Sequence, residues 1–310
     1  MDQDLVVIDT YEDLLTRPAF EASLAFHPKA DRRFGSVLAP YCFLERVHCG
    51  IESCHTPHLS GYLISTSDGL ETAIGSHCGK KYFGMQFTRE RRRVDQALAR
   101  RRRIDVVMTM IAGIPRMITV IESLERDYHE LQDMKRRLMG AIEPSVFTAL
   151  KQRAARNDPV IGKEVPMTRA EADVFFETSN RKANDGKGWP TKSVHLATLD
   201  GLPFIKARFK DMLVTNLCQP IRELSKTTAS DVDAMKPREL AATSKWVGEV
   251  PQGIIQAQEV VAEGWRFFTA ENIQKLVHLG ASAQTLAAMI KDLESNAPRA
   301  PLNEVENVCA

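Results

Sequence analysis

The chain has 310 residues, 44% of them hydrophobic and 26% charged, with a formal net charge of +1. These values fit a soluble protein of two or three domains with a substantial core. Near-neutrality excludes a global electrostatic pull on nucleic acid, so any basic footprint must be local. The opening M-D-Q-D-L-V-V-I-D is acidic and lacks the basic start and long apolar core of a signal peptide. The cysteines group with histidines instead of spreading as a secreted disulfide framework, so a cytoplasmic location is expected.

The first chemically directed feature lies between Cys49 and Cys78, where three of the six cysteines fall together with His55, His58 and His77. Cys49, Cys54, His58 and Cys78 are spaced C-x4-C-x3-H-x19-C and supply one complete tetrahedral donor set for Zn2+. His55 and His77 compete as ligands, and Cys42 is a further candidate. Between the outer ligands, Gly61–Thr66 and Leu70–Ile74 read as strands, joined by Ser67-Asp68-Gly69, a hairpin signal. Gly75-Ser76 ends the second strand and places Cys78 at a helix start, whose positive end lowers a thiol's pKa.

A ligand loop, a hairpin and a ligand on a helix start resemble a treble-clef or zinc-ribbon module over residues 49–84. The segment is also similar to short zinc-binding segments of bacterial and phage proteins that join a Cys pair, a hairpin and a G-x-x-C helix start. The resemblance implies a structural zinc. It departs in the four-residue spacing of its first Cys pair. A catalytic zinc would need an open position and a nearby base; Glu52 and Glu71 are available, yet neither H-E-x-x-H nor H-x-E with P-C-x-x-C occurs.

After the module the chain turns strongly helical. Residues 89–103 hold eight arginines against Glu90 and Asp95, with Lys80 and Lys81 just upstream. Lys80, Lys81, Arg89, Arg91, Arg92, Arg93, Arg100, Arg101, Arg102 and Arg103 form the candidate nucleic-acid contact, because guanidinium groups pair with phosphates. Tyr82, Phe83 and Phe87 sit between them, as stacking rings or as core beneath the zinc helix. Residues 104–121 reach the length of a membrane span. Asp105, Arg116, Gly113 and Pro115 argue instead for two packed helices meeting at Gly113–Pro115. Met117, Ile121, Leu124, Tyr128, Leu131, Leu138 and Ile142 then follow a heptad stripe, with Lys135 as its polar position. An antiparallel helical hairpin is expected, and the stripe equally fits a homodimer or a docked protein partner.

Further on, Asn157-Asp158-Pro159 marks a boundary and Thr168–Glu171 is a capping box opening a helix. Residues 184–190 form a loop, and residues 193–199 with 202–207 are expected as a hairpin turning at Asp200-Gly201. Arg181, Lys182, Lys187 and Lys192 would make it a basic wing. Pro251 to about Trp265 is expected as one helix, and Thr269–Ile290 reads as a weak helix-turn-helix. The fold class is mainly α with small α+β parts. The expected division is 1–87 zinc module, 88–156 basic helical hairpin or coiled coil, 157–230 small α+β domain, 231–296 helical domain and 297–310 disordered tail. P-loop, Rossmann and nucleophile-elbow motifs are absent, and an HNH-type nuclease lacks its Asn and second His after Cys78. Two functions stay open: a zinc protein contacting DNA or RNA through the arginine helix, and a non-enzymatic assembly factor whose zinc only holds the base together.

Overall fold

The computed structural model describes residues 6–26, 31–181, 186 and 188–295. The expected tail 297–310 and Lys182 and Lys187 of the expected wing lie outside these residues. The architecture is mainly α with two small antiparallel sheets. The chain divides into two compact units, Met1–Met108 with Ala229–Ser244, and Thr109–Thr228 with Lys245–Ala310.

In the first unit, α1 (Tyr11–Leu15) is closed by a capping box between Thr10 and Asp13. A three-stranded sheet follows, ordered β1 (Phe34–His48), β2 (Pro57–Thr66) and β3 (Glu71–Gly75). The β2–β3 hairpin turns at the predicted Ser67-Asp68-Gly69, with Gly69 at φ 85. The long β1 was not visible in the sequence, because Pro40 and a bulge after Cys42 break its alternation. Both faces of the sheet are covered. Leu14, Ala39, Tyr41, Phe43, Val47, Leu63 and Ala73 pack on one side. Val37, Cys49, Ile51, Ile64, Ile74, Cys78, Phe87 and Val94 pack on the other.

Phe87 and Val94 belong to α2 (Ser76–Ala141), which breaks at Gly84 (φ 58, ψ −126), a backbone region open to glycine. The break separates a short turn that carries Cys78 from the rest of the helix. Tyr62 fixes the rod's rotation by donating to both Asp95 carboxylate oxygens at 3.1 Å. Pro115 does not split the rod: α2 runs through Gly113 and Pro115, and the expected pair of helices meeting there is one helix. Proline removes a single ladder bond and kinks or ends a helix only where packing does not hold it; here Ile114 and Met117 are buried on either side of it. By length and composition α2 is also apolar enough to cross a membrane, and 22% of its most apolar window is buried. The chain turns at Ile142–Glu143 into α3 (Pro144–Arg156), so the bend comes later than expected.

The second unit spends the heptad stripe internally. Met117, Ile121, Leu124, Tyr128, Leu131, Leu138 and Ile142 are all buried. Tyr128 meets Phe209 edge-on at 5.1 Å, and Gly264 leaves room for Leu131 and Phe204. Lys135, the polar heptad position, lies over the Phe204 ring at 5.3 Å and reaches Ile205 O at 3.5 Å. Burial lowers its pKa.

Strands β4 (Val160–Pro166) and β5 (Thr191–Thr198) pair antiparallel around α4 (Arg169–Thr178), whose Thr168–Glu171 capping box is present as predicted. The expected hairpin at 193–207 is corrected. Residues 191–198 pair backwards with β4, and Leu202–Lys206 is a helix, α5. Gly201 (φ 70) caps α5, and Pro203 sits in its first turn, where proline's fixed φ suits a helix. Beyond a π-helix (Lys210–Cys218), α6 (Gln219–Leu224) and α7 (Ala229–Ala234), α8 (Pro237–Phe267) starts fourteen residues before the expected Pro251 and runs through it. Thr269 caps the short α9 (Ala270–Gln274), Gly280 ends a 3-10 turn, and α10 (Ala283–Ser295) follows.

Candidate metal centre

The site is assembled from three pieces of local structure. Residues 49–56 form a knuckle: Cys49 N–H donates to Thr56 O at 3.1 Å, and Cys54 N–H donates to Ile51 O at 2.8 Å. His55 closes it in the left-handed region at φ 45, a conformation uncommon for a residue with a side chain. Gly50 N–H donates to Ala73 O at 2.7 Å, which ties the knuckle to β3. Leu24 N–H donates to Gly50 O at 2.7 Å and Leu24 O accepts from Glu52 N–H at 3.0 Å, so the N-terminal segment braces the loop from outside. Arg17 holds that segment to β3 through a two-pronged pair with Glu71 at 2.5 and 2.8 Å.

Cys78 enters from the first turn of α2. The Cys49, Cys54 and Cys78 sulfurs all lie within 4.8 Å of one another, and Cys54 Sγ is 3.2 Å from Cys78 Sγ. Cys49 and Cys78 are buried and Cys54 is half-buried. The structure thus brings together three of the four predicted ligands. His58 stands beside them on β2, outside that group. Its Nε2 is 2.6 Å from Tyr41 Oη, and its Nδ1 is 3.1 Å from Thr56 O. The ring lies 3.5 Å from where a Cβ on Gly75 would be, directly before the ligand-bearing helix. His55 and His77 are exposed and outside the group, and exposed Cys42 pairs with Ser60 in the sheet.

Two of the three thiols are harder to ionise than a free cysteine and one is easier. Burial pushes Cys78 up to about 12, reinforced by its contact with Cys54, so the lowering expected from its helix-start position is overturned by desolvation. Burial also raises Cys49, opposed by the backbone N–H groups of Ile51 and Gly75. Cys54 is lowered to about 7 by the Thr56 hydroxyl and the Thr56 N–H. Tyr41 is held well above its ordinary value by burial and by the nearby Cys49 and Cys78. Converging sulfurs that are costly to ionise alone become thiolates once a divalent ion shares the space, because the ion's charge outweighs the desolvation cost. The donor set, its burial and its spacing therefore fit a metal ion. Tyr41 is the feature that sequence reasoning missed, since nothing local links it to residue 58.

The predicted cationic residues fall into two groups. Lys80, Lys81, Arg89, Arg92, Arg93, Arg101, Arg102 and Arg103 are exposed. Arg93 pairs with Glu90 at 3.0 Å and Arg101 with Asp105 at 3.3 Å, both on the surface. Arg91 is half-buried, near Asp95 at 3.9 Å. Arg100 is committed elsewhere: it donates to Met235 O at 3.0 Å and to Asp233 O, closing the carboxyl end of α7. The ring residues serve the core. Phe83 stacks with Phe34 at 5.1 Å and Phe87 is 1% exposed. Tyr82 Oη lies 3.0 Å from Ser53 Oγ. Compared with protein-family models, with curated proteins and with solved structures, the chain matches none, so its chemistry is read from this geometry alone.

Proposed function

We propose that residues 49–87 are a structural zinc module that anchors an arginine-bearing helix for contact with a nucleic-acid backbone. The convergence of three cysteine sulfurs at the junction of knuckle, hairpin and helix start carries this reading. Sulfur donors with one imidazole in reach select zinc over harder ions. His58 completes the set by giving up one ring-nitrogen bond, to Tyr41 or to Thr56, for the metal, while the other bond orients the ring. Four protein ligands close the coordination sphere, which is the arrangement of a structural site.

The same module sets the direction of α2. Phe87 and Val94 are pinned under the sheet, and Asp95 is held by Tyr62, so Arg89, Arg92 and Arg103 on the opposite side of the helix are exposed. Among the described residues, Lys80, Lys81, Arg89, Arg92, Arg102 and Arg103 have no ion-pair partner, which supports a role in meeting external phosphates. The heptad stripe that would serve the docking alternative is buried inside the second unit, which favours the nucleic-acid reading.

The test uses the full-length protein purified under reducing conditions. Metal analysis should give one zinc per chain. A labelled oligonucleotide should be retained at low salt, and Arg92→Glu with Arg102→Glu and Arg103→Glu should release it while zinc content stays unchanged. Substoichiometric zinc would end the metal reading, and binding indifferent to charge reversal would end the nucleic-acid reading.

A further inference from the structure

We infer that the partner of the arginine helix is duplex DNA, gripped through its backbone without base stacking; this rests on the nucleic-acid reading above. Single strands are held by combining a basic groove with exposed rings on which bases stack. Here the rings nearest the arginines are spent. Phe83 packs against Phe26 at 5.0 Å and Phe34 at 5.1 Å. Phe87 packs against Phe34 and Tyr62, and Tyr82 is tied to Ser53. What the outer face of α2 presents between residues 89 and 103 is mainly charge.

The spacing of that charge follows from the helix. At 100° per residue, Arg89, Arg92, Gln96 and Arg103 fall roughly 140–180° round from Val94, which is buried under the sheet. Arg93 lies at the edge of the same face, and its exposed pair with Glu90 exchanges readily with solvent. From residue 89 to residue 103 the helix rises about 21 Å, the length of roughly six base pairs. A duplex displays phosphates along such a line and keeps its bases stacked inside, so a stripe of cations without rings matches it.

The B-form major groove is wide enough to admit an α-helix, whereas the A-form groove of duplex RNA is deep and narrow. A helix with one face against a sheet and its arginines on the other therefore seats in the B-form groove with the arginines on its flanking phosphates, and the A-form groove excludes it. Four phosphate contacts, from Arg89, Arg92, Arg93 and Arg103, give a salt slope of about −3.6, or about a 150-fold loss of affinity between 50 and 200 mM salt.

Fluorescence anisotropy of the full chain, loaded with zinc, tests this with three probes of one sequence: a 20-base-pair DNA duplex, its single strand and the RNA duplex. The DNA duplex should bind at least tenfold tighter than either, with a slope near −3.6. Arg89→Lys with Arg92→Lys should retain most of the affinity, since phosphates read charge, and Arg89→Gln with Arg92→Gln should lower the slope by about two units. Equal or tighter binding of the single strand or the RNA duplex would overturn the DNA assignment and leave the nucleic-acid reading intact. Failure of all three probes would overturn both. Circular dichroism and zinc content of each variant separate lost contacts from lost folding.

Discussion

Replacing Cys78 by serine isolates the metal's share of the stability of the first unit. Cys78 is 7% exposed, and its sulfur is one of three that converge. A serine hydroxyl at that position is a poor zinc ligand, so Cys78→Ser leaves two thiols and His58. A ligand bound only by the folded state stabilises it by about 4.1 kcal/mol when its free concentration is a thousand times Kd. The unit comprises Met1–Met108 and Ala229–Ser244, about 120 residues, which at about 2.1 cal/mol/K per residue gives an unfolding entropy near 0.25 kcal/mol/K. Loss of the metal should then lower the melting temperature of this unit by about 16 °C, while the second unit, with its own core, keeps its transition. Differential scanning calorimetry with and without a chelator is the assay. The chelator should shift wild type by the same amount and leave Cys78→Ser unmoved. A variant that still binds one zinc, or that responds to chelator like wild type, would refute the reasoning.

His58→Ala should weaken zinc binding by at least tenfold in a competition titration, whereas His55→Ala and His77→Ala should change it little; equal effects of all three would remove His58 from the set. In metal-free protein, Cys54 should be the first cysteine of the site alkylated by iodoacetamide, with a rate rising through pH about 7, because Thr56 stabilises its thiolate and burial keeps Cys49 and Cys78 protonated. Peptide mapping reads the order, and preferential labelling of Cys49 would contradict it. Gly264→Ala should cost the second unit about 1–3 kcal/mol in urea unfolding, since its Cβ would come within 2.7 Å of Leu131 Cδ1 and 2.9 Å of Phe204. A neutral result would mean that Leu131 repacks freely.

Legibility in the sequence followed the range of the interactions involved. The Asp68-Gly69 turn, the Thr168–Glu171 capping box and the helix start at Cys78 are written within a few residues, and each was readable. The heptad stripe from Met117 to Ile142 was readable as a buried face, though its partners Phe204, Phe209 and Gly264 were not. Proline misled twice in the same sense. Pro115 and Pro251 read as boundaries, yet both lie inside helices whose neighbouring side chains are buried. Pro203 read as an edge strand, although a first-turn proline after a left-handed glycine is equally a helix start. At the candidate metal centre the three cysteines were legible from composition and spacing. The Tyr41–His58 bond was not, because it depends on the register between β1 and β2. Arg100 looked like one more cation in a run until its carbonyl partners, more than 130 residues away, came into view.

That last bond also carries a consequence for the order in which the chain can mature. Arg100 and Met235 are 135 positions apart, and the segment 229–244 belongs to the compact unit otherwise built from the first 108 residues. At roughly 5–20 residues per second, a ribosome needs about 7–27 s to deliver residue 235 after residue 100. All three cysteines of the candidate site precede residue 79, whereas the segment that Arg100 closes is delivered only at the end of that interval. The sulfur cluster is thus complete in the chain well before the unit that holds it can close, and a fragment ending near residue 108 would lack the segment that Arg100 closes.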